Sequence, residues 1–475
     1  MQIELQHKQG RNLTEQIVQQ LMVRIDDKIL HSGARLPSIR QFAQQNQVSC
    51  ATVVQAYDRL VGRGYLESRR GAGFFVRARE TSVSQLTLPA APPQMDVVWL
   101  VRAMFHQGPA GMAPGSGLLP LNWLDAGLLG QAMRKFQQPS LEALIHYGHP
   151  QGYLPLRQQL QLKLAELEIA CPPQQVLTTA GITQGLDLIA REFARPGDTV
   201  FVDDPAWFLM FGSFAAMGLK VIGIPRLHDG PDMAQLEHLA QVHQPRFFVI
   251  NSILHNPTSF SLSPAKAFRL LQLAQKHDFL LVEDDIYCDM HPGVQVQSAT
   301  RLASLDQLQR VIYMGSFGKT LAANLRVGFI AAAQEHIQRL TDRKVLASLT
   351  SSELGERIVY KILSEGLYRK HVERIRNRLQ SIRQKSLRAL EKAGFTIGQD
   401  PCAGMFLWLD AAADTNQLAL KAHDQGILLA PGALFSPHQL PSTRLRINLT
   451  NVAEPKVLAF FEKHAAKSAR QTAQT

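Results

Sequence analysis

The feature that most limits the fold of this chain is a series of short, continuous apolar runs in its C-terminal part. The runs "RFFVIN", "FLLVED" and "RVIYMGS" are separated by stretches with helical periodicity. A strand that is apolar along its whole length is buried on both faces, which occurs mainly in parallel sheets covered by crossover helices. The pattern therefore predicts an α/β domain, and 475 residues suffice for this domain and for one or two more.

The positive charge of the chain is concentrated at its N-terminus. Residues 1–79 contain twelve Lys or Arg and six Asp or Glu, a net charge of +6, whereas the remaining 396 residues carry a net charge of +5. This bias favours a polyanionic partner, most simply double-stranded DNA, although a solvated basic surface would have the same composition.

Two features of the sequence limit the cellular setting. No charged and apolar leader opens the chain, and its most apolar run, "FLMFGSFAAMGL", is too short to span a bilayer. The four cysteines are far apart and form no CxxC or His/Cys cluster. We therefore expect a cytoplasmic protein with reduced cysteines, no metal site and no membrane partner.

Residues 1–79 show the pattern of three helices followed by a hairpin. The first predicted helix places apolar residues at four-residue intervals: Leu13, Ile17, Leu21, Ile25 and Ile29. Ser38 and Ser49 are placed to cap two further short helices. The segment "YLESRRGAGFFVRA" then supplies two strands around an arginine-bearing tip. Together these elements predict a small α+β winged helix-turn-helix domain.

These motifs resemble the DNA-binding domain of GntR-type bacterial regulators. The resemblance lies in "LPSIRQFA", "ATVVQAYDRLVGRGYLE" and "GAGFFV", and it covers residues 10–78. It implies contacts of the helices with phosphates or base edges, and of the wing with the minor groove. The residues implied are Arg40, Ser49, Thr52, Arg70 and Gly71. Cys50 stands where the family usually has arginine, so we expect affinity to depend more on the wing.

Residues 80–112 separate this domain from the rest of the chain. They are rich in Ser, Pro, Gly and Ala, which predicts a linker, and "MDVVWLVRAMF" within them predicts a short helix. Residues 113–475 then form the α/β domain, with a smaller α+β subdomain from about residue 345. Within that part, the basic segment "YRKHVERIRNRLQSIRQK" predicts a solvated helix face and not a second DNA site.

Glycine-rich and polar motifs follow the apolar runs. In "VLTTAGITQGLDLIAREF" a strand, a glycine turn and a helix succeed one another, so the N–H groups of Gly181, Ile182 and Thr183 would point toward an anion such as phosphate. Alone, this turn is equally consistent with a simple connection. The motifs "DDPAWF", "HNPTS", "VEDDIYCD" and "MGSFGKTLAANLRVGF" also end apolar runs. Because ligands collect at strand ends of open sheets, these motifs predict one site.

In their order and spacing, the motifs resemble fold-type I pyridoxal-phosphate enzymes of the aspartate aminotransferase class, from about residue 113 to 465. By that resemblance Lys319 is the catalytic residue and would form a Schiff base with the aldehyde of pyridoxal 5'-phosphate. Asp284 would pair with the ring nitrogen and keep it protonated, so that the ring withdraws electrons. Trp207 would stack on the ring face.

The same resemblance implies four further cofactor contacts. Asn256 and Tyr287 would reach the phenolic oxygen. Ser316 and Arg326 would bind the phosphate, the latter through its two-pronged guanidinium. Individually, each of these residues, like Trp207 or Asp284, could be an ordinary core or strand-end residue.

Two positions concern the substrate and a partner subunit. Arg446 of "TRLRINLT" matches the arginine that binds the substrate α-carboxylate; Arg444 is the alternative, and a one-residue shift would turn the side chain to the opposite strand face. Tyr147 matches a tyrosine that reaches the partner subunit's phosphate, which implies a homodimer. Ser259 and Gly318 depart from the usual glycine and the usual serine or alanine, which predicts a looser pocket.

The whole arrangement resembles the MocR subfamily of GntR-type regulators. It implies a transcriptional regulator that senses pyridoxal phosphate, an amino acid or an amine. Two alternatives remain open: an active aminotransferase carrying a DNA-binding domain, and a body that serves only as a dimerisation scaffold. The intact Lys319, Asp284 and Arg326 argue against the scaffold.

Overall fold

A computed structural model gives the structure of the chain. It describes residues 1–6, 12–78, 102, 112–136, 143–293, 296 and 299–464. Contacts divide the chain into two compact units, Met1–Pro92 and Pro93–Thr475. Apart from Arg102 and Met112, the predicted linker and its short helix lie outside the described residues. Within the described part, no helix is long and apolar enough to cross a membrane.

The N-terminal unit consists of three helices and a hairpin. Its elements are α1 (Leu13–Asp26), α2 (Ile39–Asn46), α3 (Cys50–Gly62), β1 (Leu66–Arg69) and β2 (Gly73–Val76). The two strands pair antiparallel, with Leu66 opposite Val76 and Arg69 opposite Gly73. The predicted winged helix-turn-helix fold is confirmed.

The two predicted helix caps are present in this unit. The hydroxyl of Ser38 accepts a hydrogen bond from the Gln41 N–H at 3.3 Å, and that of Ser49 accepts one from the Thr52 N–H at 3.1 Å. Each bond satisfies a backbone N–H that has no partner inside its own helix. The caps therefore fix where α2 and α3 begin.

The apolar face of α1 forms part of the core of the N-terminal unit. Ile17 and Leu21 are fully buried in that core. The helix ends at Asp26, and Lys28 turns the chain with a left-handed φ of 59°. The sequence predicts Ile29 on the buried face, but this residue lies beyond the helix end and is 65% exposed, so that prediction is wrong.

The C-terminal unit is built around an eight-stranded sheet. Its strands are β3 (Val176–Thr179), β4 (Thr199–Asp204), β5 (Lys220–Leu227), β6 (Gly230–Pro231), β7 (Phe247–Ile250), β8 (Leu280–Asp284), β9 (Val311–Ser316) and β10 (Gly328–Ala331). The order across the sheet is β3-β10-β9-β8-β7-β4-β5-β6. β5, β4, β7, β8 and β9 run parallel, whereas β10 is antiparallel to both of its neighbours and β6 to β5. The predicted, largely parallel sheet is confirmed.

Helices cover both faces of this sheet. The helices of the C-terminal unit are α4 (Ala126–Arg134), α5 (Leu154–Ala165), α6 (Ile182–Phe193), α7 (Leu209–Ala216), α8 (Met233–His243), α9 (Pro264–Lys276), α10 (Leu302–Asp306), α11 (Gln334–Ser348), α12 (Glu353–Ser364), α13 (Leu367–Lys392), α14 (Thr415–His423) and α15 (Pro455–His464). Phe201 and Phe248 pack with residues of α5, α9 and α12. Val200 and Val249, on the same two strands, pack with α6, α7 and α11. Burial on both faces explains the continuous apolar runs.

A smaller sheet forms the second part of the C-terminal unit. Its strands are β11 (Phe406–Asp410), β12 (Ala430–Pro431) and β13 (Arg444–Asn448), paired antiparallel in the order β11-β13-β12. The 26-residue α13 contributes to two cores: Tyr368 and Val372 pack in a cluster of the large sheet, and Leu387 and Leu390 in that of the small sheet. α13 therefore connects the two parts.

A buried ion pair fixes the chain just after β8. Arg301 Nε donates to Asp285 Oδ2 at 2.6 Å, and the Tyr313 hydroxyl donates to the same oxygen at 2.9 Å. Burial raises the pKa of Asp285, and the Arg301 guanidinium opposes that shift. Because Asp284 directly precedes Asp285, the pair also holds the end of β8 in place.

Replacing Arg301 with alanine should lower the free energy of unfolding by about 3–5 kcal/mol, because Asp285 then remains buried without its cation. The loss should shrink as pH falls, since protonation removes the charge of Asp285. Urea unfolding measures both effects. Arg310→Ala is the matched control, because its 2.9 Å pair with Asp278 is largely exposed and should contribute at most about 1 kcal/mol. Equal losses in the two variants would contradict this account.

Candidate functional site

The predicted DNA-contact residues lie at the surface of the N-terminal unit. Thr52 is partly exposed, and the others are exposed: Arg40, Ser49, Arg70 and Gly71. The ion pairs described in this unit involve other arginines, namely Arg59, Arg63 and Arg69. Among the described residues, Arg40 and Arg70 therefore have no acidic partner and are available to an anion.

The N-terminus of α3 and the hairpin turn carry several of the predicted DNA-contact residues. The Ser49 and Thr52 hydroxyls lie 2.8 Å apart at the helix N-terminus, where the helix dipole favours an anion. Cys50 is the exposed first residue of the same helix. Gly71 lies in the hairpin turn at a φ of 75°, which glycine adopts without strain.

In the C-terminal unit, the predicted cofactor residues lie at one edge of the large sheet. Asp284 ends β8 and Ser316 ends β9, and these parallel strands are neighbours. The antiparallel β10 begins at Gly328, opposite Ser316, so Arg326 lies just outside the same edge. Gly181 follows the end of β3, where Thr179 pairs with Gly328. The sheet topology thus brings together segments that are far apart in sequence.

The predicted phosphate site combines the N-terminus of α6 with Arg326. Arg326 Nη2 donates to the Ala180 carbonyl at 2.7 Å. Gly181 has a φ of 81°, and a Cβ at this position would lie 2.9 Å from Arg326 Nη2, so a side chain would displace the guanidinium. No described side chain caps α6, which leaves the N–H groups of Ile182 and Thr183 available to an anion.

Ser316 holds the turn that carries Lys319. Its hydroxyl accepts the Gly318 N–H at 3.1 Å and donates to the Val327 carbonyl at 3.1 Å. A Cβ at Gly318 would lie 3.4 Å from this hydroxyl, at the limit of ordinary van der Waals contact. The predicted loosening of the pocket at Gly318 stays a prediction.

Lys319 is a partly buried lysine. Its Nζ donates to the Gly117 carbonyl at 3.1 Å. Burial lowers the pKa of Lys319 to about 8, the Arg446 and Arg326 charges add to the shift, and Asp284 opposes it. A larger fraction of neutral amine is therefore present near neutral pH than for an exposed lysine, and the neutral form is the nucleophile.

Asp284 is a buried carboxyl group beside a small cavity. Burial raises its pKa to about 7, partly offset by a hydrogen bond from the Ile286 N–H to Oδ1 at 3.2 Å. The Asn251 side chain donates to the Asp284 carbonyl at 2.5 Å. Trp207, Asn251 and Asp284 line the same cavity. A carboxyl group and an indole therefore meet at one small cavity.

Asn256, Tyr287 and Arg446 form a connected polar group. Arg446 Nη1 donates to Asn256 Oδ1 at 2.9 Å, and Asn256 Nδ2 lies 3.5 Å from the Tyr287 hydroxyl. Burial raises the pKa of Tyr287, so its hydroxyl stays protonated. The Tyr287 ring packs edge-on against Phe406 at 5.5 Å.

Arg446 is fully surrounded by protein. Its guanidinium lies 4.5 Å from the centre of the Phe406 ring and 4.9 Å from that of Phe435, and Nη2 donates to the Gly115 carbonyl at 2.6 Å. Its Nε has no hydrogen-bond partner among the described residues. Burial lowers the pKa of Arg446 to about 10. A buried guanidinium without a carboxylate partner is suited to bind the carboxylate of a ligand.

Arg444 does not join this group. It lies two residues before Arg446, so the two share a strand face and differ in burial. Arg444 is exposed at the beginning of β13, 3.7 Å from Asp410. The two arginines therefore differ in burial. The sequence analysis expected them to differ in the strand face to which they point.

Ser259 connects the two parts of the C-terminal unit. It has a left-handed φ of 59°, and its hydroxyl accepts the Phe406 N–H of β11 at 3.2 Å. The hydrogen bond ties the small sheet to the "HNPTS" loop. Serine here thus adds a contact that glycine could not make, in contrast to the predicted loosening.

Tyr147 lies apart from the cluster. Its side chain is 81% exposed, as is that of Ile145 at 80%. Within the described part of the chain, no hydrogen bond joins Tyr147 to the residues around Lys319. Its predicted contact with a partner subunit stays a prediction.

Several residues of the site are not identified by the sequence analysis. The carbonyls of Gly115 and Gly117 and the rings of Phe406 and Phe435 come from distant segments with no local motif. Asn251 carries a usable signal, because it directly follows the apolar run of β7.

Comparison with known families agrees with both units. Residues 118–462 match the model of the aminotransferase class I and II family, and residues 13–76 match that of the bacterial regulatory proteins of the gntR family. The first match covers most of the chain, and the second covers the described helices and hairpin of the N-terminal unit.

Two relatives match over most of the chain. The uncharacterized HTH-type transcriptional regulator YdfD of Bacillus subtilis is 28% identical over 85% of this chain and 86% of its own. The probable rhizopine catabolism regulatory protein MocR of Rhizobium meliloti is 29% identical over 88% of this chain and 85% of its own.

A solved structure matches the C-terminal unit. The kynurenine aminotransferase of Pyrococcus horikoshii, solved in complex with PMP, has a TM-score of 0.71 and 25% identity over 83% of this chain and 98% of its own. The chain therefore belongs to the aminotransferase class I and II family and, with its gntR-type N-terminal domain, is a transcriptional regulator of the MocR kind.

Proposed function

We propose that this regulator binds pyridoxal 5'-phosphate at the Lys319 cluster and uses it, with an amino compound, as a cytoplasmic signal. The observation that carries the proposal is that three groups meet at one sheet edge: the partly buried amine of Lys319, the buried carboxyl group of Asp284 and the guanidinium of Arg326. An aminotransferase fold supports the choice of cofactor.

The residues present fit this cofactor. Arg326, Ser316 and the uncapped N-terminus of α6 would hold its phosphate, and the glycine at 181 leaves room for the guanidinium. Asp284 would pair with the ring nitrogen, whose positive charge would keep the buried carboxyl group ionised. Trp207 would lie against the ring face.

When bound, pyridoxal phosphate supplies an aldehyde that bonds to amines and a ring that withdraws electrons from the attached carbon. Lys319 supplies the protein amine, and its lowered pKa makes that amine available near neutral pH. Asn256 and Tyr287 would orient the ring through its phenolic oxygen. Asn256 and Tyr287 are themselves buried.

Arg446 favours an amino acid over a simple amine as the effector. The guanidinium is buried, and its described partners are neutral oxygens of Asn256 and Gly115. A carboxylate offers both charge and two acceptors in the matching geometry. An amine without a carboxylate would leave the buried charge of Arg446 unpaired.

A homodimer completes this proposal. Tyr147 and Ile145 are large, exposed side chains two residues apart in sequence, which suits a surface covered by a second subunit. Tyr147 would then reach the phosphate site of the partner. For regulation, the effector must bind one arrangement of the dimer better than another, typically by about 1–3 kcal/mol.

An active aminotransferase is the second candidate function. It is favoured by the same cluster, in which the implied lysine, aspartate and two arginines are all buried or hydrogen-bonded in place. The two candidates differ in turnover. Keto acid formed in large excess over protein would support the enzyme, whereas at most one equivalent per site would support a sensor.

DNA binding should depend on the exposed cations of the N-terminal unit. Arg40→Ala or Arg70→Ala should weaken operator binding by about 1–3 kcal/mol if a base edge is contacted, or reduce the salt slope by about 1 if a phosphate is contacted. Mobility-shift titrations at several salt concentrations measure both. Lys28→Gln removes a cation from the turn after α1 and is the matched control. Unchanged binding in both arginine variants would exclude these residues from the interface.

Lys319→Ala should separate effector response from basal DNA binding. The variant lacks the amine that bonds to the cofactor but keeps Arg326 and α6, so it should still bind cofactor without the absorbance of the lysine-bound form. Basal DNA affinity should remain, and the response to an amino acid should be lost.

The control variant Lys344→Met, which removes a buried lysine elsewhere, should keep the absorbance. Circular dichroism and sedimentation monitor folding, and a retained lysine-bound spectrum in Lys319→Ala would show that another lysine is used.

A further inference from the structure

Helix α13 carries a row of exposed cations along one side. We call this row the α13 stripe, and it consists of Lys370, Arg374, Arg378, Lys385, Arg388 and Lys392, all exposed. At 3.6 residues per turn, the six side chains fall within an arc of about 80° around the helix axis. From 370 to 392, the other residue in that arc is the uncharged Ser381.

The remaining faces of α13 have different roles. The opposite side packs into the protein through buried residues such as Val372, Ile375 and Leu390. The helix has two acidic residues, Glu373 and Glu391, and both lie outside the arc of the stripe. Within this arc, the charged residues of the helix itself are therefore all cations, whereas the sequence alone shows only a basic segment.

Few contacts within the chain neutralise the stripe. Arg374 pairs with Asp125 at 2.9 Å, and Arg378 lies near the Trp123 ring and donates to the Asn122 carbonyl at 3.2 Å. The other four cations have no acidic partner among the described residues. Like charges one turn apart on a helix repel each other. This row of like charges therefore does not stabilise the fold. A bound external anion would reduce the repulsion between the cations.

We propose that the α13 stripe is a second contact surface for the phosphate backbone of DNA. From 370 to 392 the stripe extends about 33 Å, close to the roughly 34 Å of one turn of B-DNA. The partner is taken to be DNA because the chain already carries a gntR-type DNA-binding domain. If fully extended, the 33 residues between 78 and 112 could span at most about 120 Å, which is the upper limit on the separation over which one DNA molecule could contact both surfaces.

This proposal rests on DNA binding by the N-terminal unit and revises the prediction of a merely solvated helix face. Lysine and arginine neutralise phosphates whatever the base sequence, so we expect the contribution of the stripe to be independent of sequence. It should add affinity only when the DNA extends beyond the operator. Binding of operator to the N-terminal unit and contact with flanking DNA are therefore separable.

The test compares two triple variants of the full-length protein. Lys370→Gln/Lys385→Gln/Lys392→Gln neutralises half of the stripe. The matched control, Lys220→Gln/Lys421→Gln/Lys456→Gln, neutralises three exposed lysines elsewhere on the C-terminal unit that lack acidic partners in the described structure. Each is titrated with an operator-only duplex and with a duplex extended by about two helical turns on each side, at several salt concentrations.

On the extended duplex, the stripe variant should show a salt slope smaller by about 3 than the unmodified protein, because each phosphate contact contributes about 0.9. On the operator-only duplex, the stripe variant should bind as the unmodified protein does. The control should match the unmodified protein on both. Arg40→Ala and Arg70→Ala should weaken binding to both duplexes, so a failure of the N-terminal unit is recognised separately.

Three results would overturn the proposal. One is an unchanged salt slope of the stripe variant on the extended duplex. Another is an equal loss in the control variant, which would indicate a general charge effect. The third is intact DNA binding of the stripe variant together with a defect elsewhere. A changed sedimentation coefficient would then assign the stripe to a subunit interface, and a selective loss of binding to anionic lipid vesicles would assign it to a membrane.

Discussion

The site depends above all on the burial of one amine among other charges. Lys319 is partly buried, and this burial together with the charges of Arg446 and Arg326 lowers its pKa to about 8. Asp284, whose own pKa is raised to about 7, is the acid that opposes the shift. Such a balance of charges requires that the charged groups keep fixed positions. Strand ends, the glycine turn at residue 181 and the two aromatic rings around Arg446 hold them in place.

The same charges connect the two parts of the C-terminal unit. Arg446 belongs to the small sheet but binds Asn256 of the large part, and the Ser259 hydroxyl accepts the Phe406 N–H across the same junction. A carboxylate that binds Arg446 must therefore act where the two parts meet. The proposed effector, if it binds Arg446, would thus be able to change how the two parts of the C-terminal unit are arranged, in addition to reacting with the cofactor.

The sequence predicts the parts of this structure that depend on local pattern. Helix caps at Ser38 and Ser49, the hairpin and the parallel sheet follow from hydrogen-bonding residues and continuous apolar runs. Contacts made by backbone carbonyls or unspecialised rings, such as Gly117 and Phe435, depend on tertiary packing and leave no local signal. The α13 stripe could be predicted only in part. Its charges are visible in the sequence, but the structure is needed to show which side of the helix is buried and that the cations share the exposed face.

The measurement that tests the account most directly is chemical mapping of the cofactor bond. The protein is incubated with pyridoxal phosphate, reduced with borohydride, digested and analysed by mass spectrometry. The account predicts a phosphopyridoxyl group on the peptide that contains Lys319. Modification of Lys344, a second buried lysine whose pKa burial lowers to about 8, would contradict it, as would modification confined to exposed lysines.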